Sequence, residues 1–211
     1  MSSKFFFSLC VVVLGLASIT NAQIVEFRLE TTDIDGNVID SIEDGNQFVL
    51  TAFTRQSDFA GAPEDGGVFA GYLNVSYDDS LISIAGSVEH GPNYQVGTNA
   101  DLDTVGLLGD VGGFTSMTEP FGASELQLWS LLMNADSQGE LSFVSSESLV
   151  LPQFEVLVFG SDERVEAGDI AFGSTTLTIV PEPNSMALML LGLVGCLRQI
   201  APSRHFVQSD Y

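Results

Sequence analysis

The chain predicts an all-β fold, an antiparallel β-sandwich or jelly roll. Apolar and polar residues alternate with period two through several short runs. Clusters of Gly, Asn and Asp, which favour tight turns, separate those runs. No stretch of the body carries a helical period of useful length, and about eight or nine short strands without helices pack as two sheets.

The first strand runs from Gln23 to Thr31, with Val25, Phe27 and Leu29 on one face and Glu26, Arg28 and Glu30 on the other. Asp35-Gly36-Asn37 turns the chain, because Gly and Asn tolerate positive φ. A second turn at Asp44-Gly45-Asn46 launches Gln47 to Phe53. The loop Gly61 to Gly67 leads into Val68 to Tyr77, where Phe69, Leu73, Val75 and Tyr77 share a face. Asp78-Asp79-Ser80 turns into Leu81 to Ile84. From Glu89 to Thr118 the composition is rich in Gly, Asn and Asp and reads as long loops around short strands.

Glu125 to Ala135 is apolar on both faces, which suits a central strand; Leu and Met also favour helix, and the alternation decides for strand. Gly139 to Phe143 begins another strand, Leu149 to Phe159 adds one broken at Pro152, and Ile170 to Ile179 closes the body with Thr175, Leu177 and Ile179 in step.

Two processing segments flank this body, giving three regions: 1–22, 23–180 and 181–211. Lys4, the apolar run Phe5 to Ile19 and the small Ala22 before Gln23 form a secretory signal peptide, with an uncleaved anchor as the alternative. Cys10 lies too early in that run for lipoprotein cleavage, and Cys196 lies in the C-terminal apolar run. The body therefore has no disulfide, although export would permit one, and depends on burial alone. Its length of about 160 residues suffices for one core.

The formal net charge is -22, and the body's only basic residues are Arg28, Arg55 and Arg164. Such a surface repels nucleic acid and anionic lipid headgroups. Acidic chains are prone to disorder, but a hydrophobic content of 45% with 15 Phe argues for a folded core.

No catalytic set emerges. Nucleophilic catalysis by Ser needs a base, and the body has a single histidine, His90, in the turn-like His90-Gly91-Pro92. Zinc needs more His or Cys ligands than the body holds. Paired carboxylates for glycoside hydrolysis are too abundant to discriminate. Calcium is the one cofactor the composition suggests, with Asp33, Asp35 and Asn37 as candidate ligands. An EF-hand does not fit: counting from Asp33, Val38 takes the place of the required Gly and Asp44 that of the closing Glu. A hairpin turn with an acidic rim is the alternative, and the pairs Asp78/Asp79 and Asp101/Asp103 are equally ambiguous. Asn74-Val75-Ser76 matches the glycosylation pattern but sits in a predicted strand. For stacking on sugar, Trp129 reads as buried, leaving Tyr72 and Tyr94 as candidate ligand-binding rings.

The body resembles the cohesin-type β-sandwich, the receptor half of cohesin–dockerin pairs. The matching residues are Thr32-Asp33 with Asp35-Gly36-Asn37, Gly45-Asn46-Gln47-Phe48, Gly67 to Leu73, Tyr77-Asp78, Leu131 to Ala135 before Gly139, and Asp169 to Gly173. They are core and turn residues, so the resemblance implies a fold more than a function.

The C-terminal region is similar to the PEP-CTERM sorting signal. Pro181-Glu182-Pro183 makes a stiff step that cannot extend a strand. The apolar run Met186 to Leu197 and a basic Arg198 follow, then a tail in which Arg204 and His205 spread the basic stop. At about a dozen residues the apolar run is short of the roughly 20 that span a bilayer comfortably. The resemblance implies a short hydrophobic helix held in the inner membrane of a Gram-negative bacterium until an exosortase processes the chain, and then the cell surface or extracellular matrix, in an organism that makes exopolysaccharide. The expected protein is exported and non-enzymatic. The alternative is a carbohydrate-binding or dockerin-binding module, with calcium as an optional cofactor.

Overall fold

The computed structural model describes residues 24–57, 66–122, 124–148 and 155–182. The expected signal peptide, Pro183, the C-terminal apolar run and Arg198 lie outside them. The described chain forms thirteen strands: β1 (Val25–Thr32), β2 (Ser41–Glu43), β3 (Gln47–Gln56), β4 (Val68–Ser76), β5 (Ile82–Ile84), β6 (Glu89–His90), β7 (Val96–Asp101), β8 (Leu107–Phe114), β9 (Leu126–Ala135), β10 (Gly139–Glu147), β11 (Leu157–Val158), β12 (Ile170–Phe172) and β13 (Ser174–Val180). A 3-10 turn at Ala167–Asp169 is the only helical turn among the described residues, and no described helix is long and apolar enough to cross a membrane.

The strands form two sheets. One has the order β12-β1-β3-β9-β5, with β6 also on β9; the other runs β2-β13-β10-β4-β8-β7, with β11 also on β4. Most pairings are antiparallel, while β1 with β12 and β13 with β2 are parallel. The apolar sides of both sheets face one core in which Phe27, Phe48, Tyr94, Trp129 and Phe143 are wholly buried. Burial of each such ring contributes on the order of 1.5–3 kcal/mol, so a core of this size holds two sheets together without a disulfide.

Alternation foretold β1 closely: Val25, Phe27, Leu29 and Thr31 are its buried positions. The segment torn between strand and helix is strand β9, flanked by β3 on one side and by β5 and β6 on the other. Its pairing with β3 skips Leu128, and this bulge turns both Leu128 and Trp129 into the core. The closing run is two strands in different sheets. β12 pairs with β1, β13 pairs with β10, and Gly173 is the corner between them. A Cβ at Gly173 would stand 2.6 Å from the Phe27 carbonyl oxygen, so the corner needs glycine.

The Gly-rich region is more ordered than its composition predicts. β8 is eight residues long and buried through Leu108–Gly113, because Gly112 and Gly113 let neighbouring backbones approach closely. The edge strands β2, β5 and β12 have three residues each, and β7 pairs with two register shifts; short or bulged edges resist strand addition.

Strand direction gives the sandwich two distinct ends. At the Ile24 end, Ser57 N–H bonds the Ile24 carbonyl (2.8 Å), Gly67 N–H bonds Gln56 Oε1 (2.7 Å), and Gly122 N–H bonds the Gly66 carbonyl (2.8 Å). At the Pro181 end, Asp44 N–H bonds the Val180 carbonyl (2.9 Å) and Gly45 N–H bonds the Ala135 carbonyl (2.7 Å).

Gly112 tests the close approach on which β8 depends. A Cβ there would overlap the Gly71 carbonyl oxygen and lie 2.8 Å from Tyr72 Cα. Gly112→Ala should cost about 2–3 kcal/mol by overpacking, read as a lower urea midpoint with an unchanged m-value.

Candidate functional site

Each acidic turn satisfies itself. Asp33 Oδ1 accepts the N–H groups of Asp35 (3.0 Å) and Asn37 (2.8 Å), while Oδ2 accepts the Asn37 side-chain amide (2.9 Å). The Asn37 amide, then its backbone N–H, hold the Asp33 carboxyl below the usual carboxylate range. A bridge between Thr32 and Val38 closes the turn, which matches the hairpin alternative. The calcium candidates Asp33, Asp35 and Asn37 are thus brought together, with both Asp33 oxygens occupied by the turn's own donors. Asp78 similarly accepts Ser80 N–H and Oγ–H, and Asp101 accepts Asp103 N–H. Among the described residues no three His, Cys, Asp or Glu side chains converge to hold a metal ion.

The two rings proposed for sugar stacking are not at the surface. Tyr72 is 2% exposed and donates its hydroxyl to the Gly97 carbonyl (2.6 Å); Tyr94 is 0% exposed and donates to the Val68 carbonyl (2.9 Å). Burial raises the pKa of both phenols. Tyr72 pairs across strands with Gly112, and a residue without a side chain cannot hold the ring off the sheet. Neither tyrosine presents a face to a pyranose, which corrects their assignment as candidate ligand-binding residues. Trp129 is buried as expected.

The most specific polar constellation is one that residue types alone did not reveal. Two residues of β8, Gly109 and Asp110, face one residue of β4, Asn74, and this bulge gives Asp110 a φ of 49°, the only positive value among described non-glycine residues. Asn74 Oδ1 accepts Asp110 N–H (2.8 Å), and Asn74 Nδ2 donates to the Glu147 carbonyl (2.9 Å). Asn99 Nδ2 donates to the Asp110 carbonyl (3.0 Å), and Ser148 Oγ donates to Asp110 Oδ1. The clasp ties β4, β7, β8 and the end of β10. It also explains why Asn74 cannot serve as a glycosylation acceptor: its amide is buried and engaged.

Each arginine among the described residues is paired with carboxylate. On the outward face of the first sheet, Arg28 makes two bonds to Glu125 (2.8 Å each) and one to Glu30 (2.6 Å), and lies 4.3 Å over the Phe53 ring. Arg55 pairs with Glu26 (2.6 Å), and Arg164 lies 3.4 Å from Glu166. Such exposed pairs contribute about 0.2–1 kcal/mol each.

His90 faces Trp129 across strands, and its Nδ1 has no hydrogen-bond partner among the described residues. A general base needs an orienting partner, and His90 Nδ1 has none among the described residues.

An apolar cleft of about 520 Å³ opens at the Ile24 end. Phe69, Val158 and Phe159 floor it, Met117 borders it at 49% exposure, and Ser116 and Asp162 stand on its rim. The Phe69 ring meets Phe159 edge-on at 5.4 Å and stacks on Phe114 at 6.1 Å; Phe121 meets Phe159 edge-on at 5.3 Å.

No protein-family model matches the chain, and no curated protein matches its sequence. Among solved structures it is similar to the cohesin module of a family 33 glycoside hydrolase from Clostridium perfringens, at 12% identity and a TM-score of 0.51, over 76% of this chain and 100% of that module. It is also similar to the cohesin CaCohA2 of Clostridium acetobutylicum (15% identity, TM-score 0.48, covering 75% of this chain and 92% of that one). A third is the sixth cohesin of Acetivibrio cellulolyticus scaffoldin B, seen in complex with a mutant Cel5 dockerin (14% identity, TM-score 0.45, covering 74% and 99%). The first of these likenesses carries the fold: the described chain is a cohesin-like β-sandwich.

Asn74→Ala leaves Asp110 N–H and the Glu147 carbonyl unpaired in a buried site, so it should destabilise by about 2–4 kcal/mol in urea unfolding. Burial holds His90 below its ordinary pKa. The unfolded chain therefore takes up that proton first as pH falls, and the stability His90 contributes above about pH 6.5 is lost as pH drops through the folded-state value. The wild-type urea midpoint should fall across the mildly acidic range, and His90→Gln should flatten that part of the profile.

Proposed function

We propose that this chain is an exported, non-enzymatic protein-binding module of cohesin type. It is sorted through Pro181-Glu182-Pro183 to the cell surface or extracellular matrix of a Gram-negative bacterium. The observation that carries this reading is where the sandwich stops. β13 ends at Val180, Pro181 follows it directly and cannot extend a strand, and Glu182 is exposed, which supports reading Pro181-Glu182-Pro183 as a step outside the sandwich. The cohesin-like fold supports a binding role.

The partners of this reading are an exosortase-type processing enzyme, the inner membrane as a transient anchor, and a dockerin-bearing protein, by analogy with the scaffoldin cohesin bound to a dockerin. Binding to exopolysaccharide has less support, because Tyr72, Tyr94 and Trp129 offer no exposed aromatic platform.

Replacing Pro181-Glu182-Pro183 with three alanines should leave an unprocessed chain in the inner-membrane fraction; unchanged processing and location would defeat the sorting reading. Full-length chain used as bait in secreted extract should capture a dockerin-bearing protein. Recovery of polysaccharide without any such protein would favour the carbohydrate alternative.

A further inference from the structure

The two ends of the sandwich differ in kind. The Pro181 end is made of tight turns at Asp33–Asn37, Asp44–Asn46 and Asp78–Leu81, each carrying carboxylates; the first and third are closed by their own hydrogen bonds, and the second is also tied to Val180 and Ala135. The Ile24 end carries the apolar cleft. The nine residues of β4, at about 3.3 Å each, separate the two ends by about 30 Å.

Met117 is the key residue of the cleft. It is half exposed, and it borders a floor of Phe69, Val158 and Phe159 in which the two rings meet edge-on. A flexible thioether beside rigid rings is adaptable apolar surface, suited to receiving a side chain of variable shape. The volume of about 520 Å³ accommodates a side chain or two, within the range of ordinary ligand pockets. The rim supplies Asp162, which is exposed, and the chain around it has a net charge of -22. A field of that sign draws cationic segments and repels anionic ones.

We infer that this cleft is a docking site for a partner segment that presents an aromatic or aliphatic side chain flanked by lysine or arginine. The apolar side chain inserts beside Met117 over Phe69 and Phe159, and a flanking cation faces Asp162. The cleft lies at the end of the sandwich opposite Pro181, the point at which the chain is tethered on the sorting reading above.

The test uses full-length protein in detergent micelles and fluorescein-labelled pentapeptides read by anisotropy. Gly-Lys-Phe-Lys-Gly should bind saturably, while Gly-Lys-Ser-Lys-Gly and Gly-Glu-Phe-Glu-Gly should bind at least about tenfold more weakly. Met117→Ser and Asp162→Asn, both at exposed positions, should each weaken the first peptide by about tenfold with unchanged melting temperature. No saturable binding, equal binding of the Ser peptide, or indifference to both substitutions would overturn the inference. The triple-alanine replacement of Pro181-Glu182-Pro183 should leave peptide binding intact. A failure of sorting and a failure of docking are therefore seen in separate experiments.

Discussion

Phe27 on β1 and Leu128 on β9 reach across the core to Gly71 on β4, where a Cβ would stand 3.3 Å from the Phe27 ring and 3.5 Å from Leu128. This contact between sheets is the constraint on which the rest of the molecule depends, because no cysteine joins them between β1 and β13. Cohesion must come from close packing, and close packing here requires small residues at chosen points. Gly71 admits the opposing side chains, Gly112 and Gly113 admit neighbouring backbones, and Gly173 lets the chain pass from one sheet to the other. The glycines that look like loop composition are the places where the sandwich is drawn together.

Charge is managed in a complementary way. A chain with so few basic residues cannot neutralise its carboxylates in pairs, and only Arg28, Arg55 and Arg164 do so among the described residues. Other carboxylates, Asp33, Asp78 and Asp101 among them, are held by backbone and side-chain donors of their own turns. The surface stays strongly anionic, and a field of that sign attracts cations and repels anions.

Residue patterns anticipated the elements that obey a simple period. β1, β3, β10 and β13 were legible because their buried positions recur every second residue, and β9 because alternation outweighed helix propensity. The strand β8 was less legible, since its glycines carry no side chain and so no periodic signal, and Asp110 reads as a turn residue until the bulge around Asn74 is known. The tyrosines show the same limit at the level of a site. Tyr72 lies down against the sheet because its cross-strand partner is Gly112, some forty residues away in sequence.

What the sequence by itself determined is the class of fold and the position of its turns, together with the expectation of export and sorting. These follow from local chemistry: side-chain alternation, turn residues, charge and the rigidity of Pro-Glu-Pro. The tertiary structure alone decided which rings are buried, where the chain changes sheets, how Asn74, Asn99, Asp110 and Ser148 lock four strands, and that an apolar cleft opens at the end away from Pro181. Each of these depends on register between strands distant in sequence, and register is set by packing across the whole core.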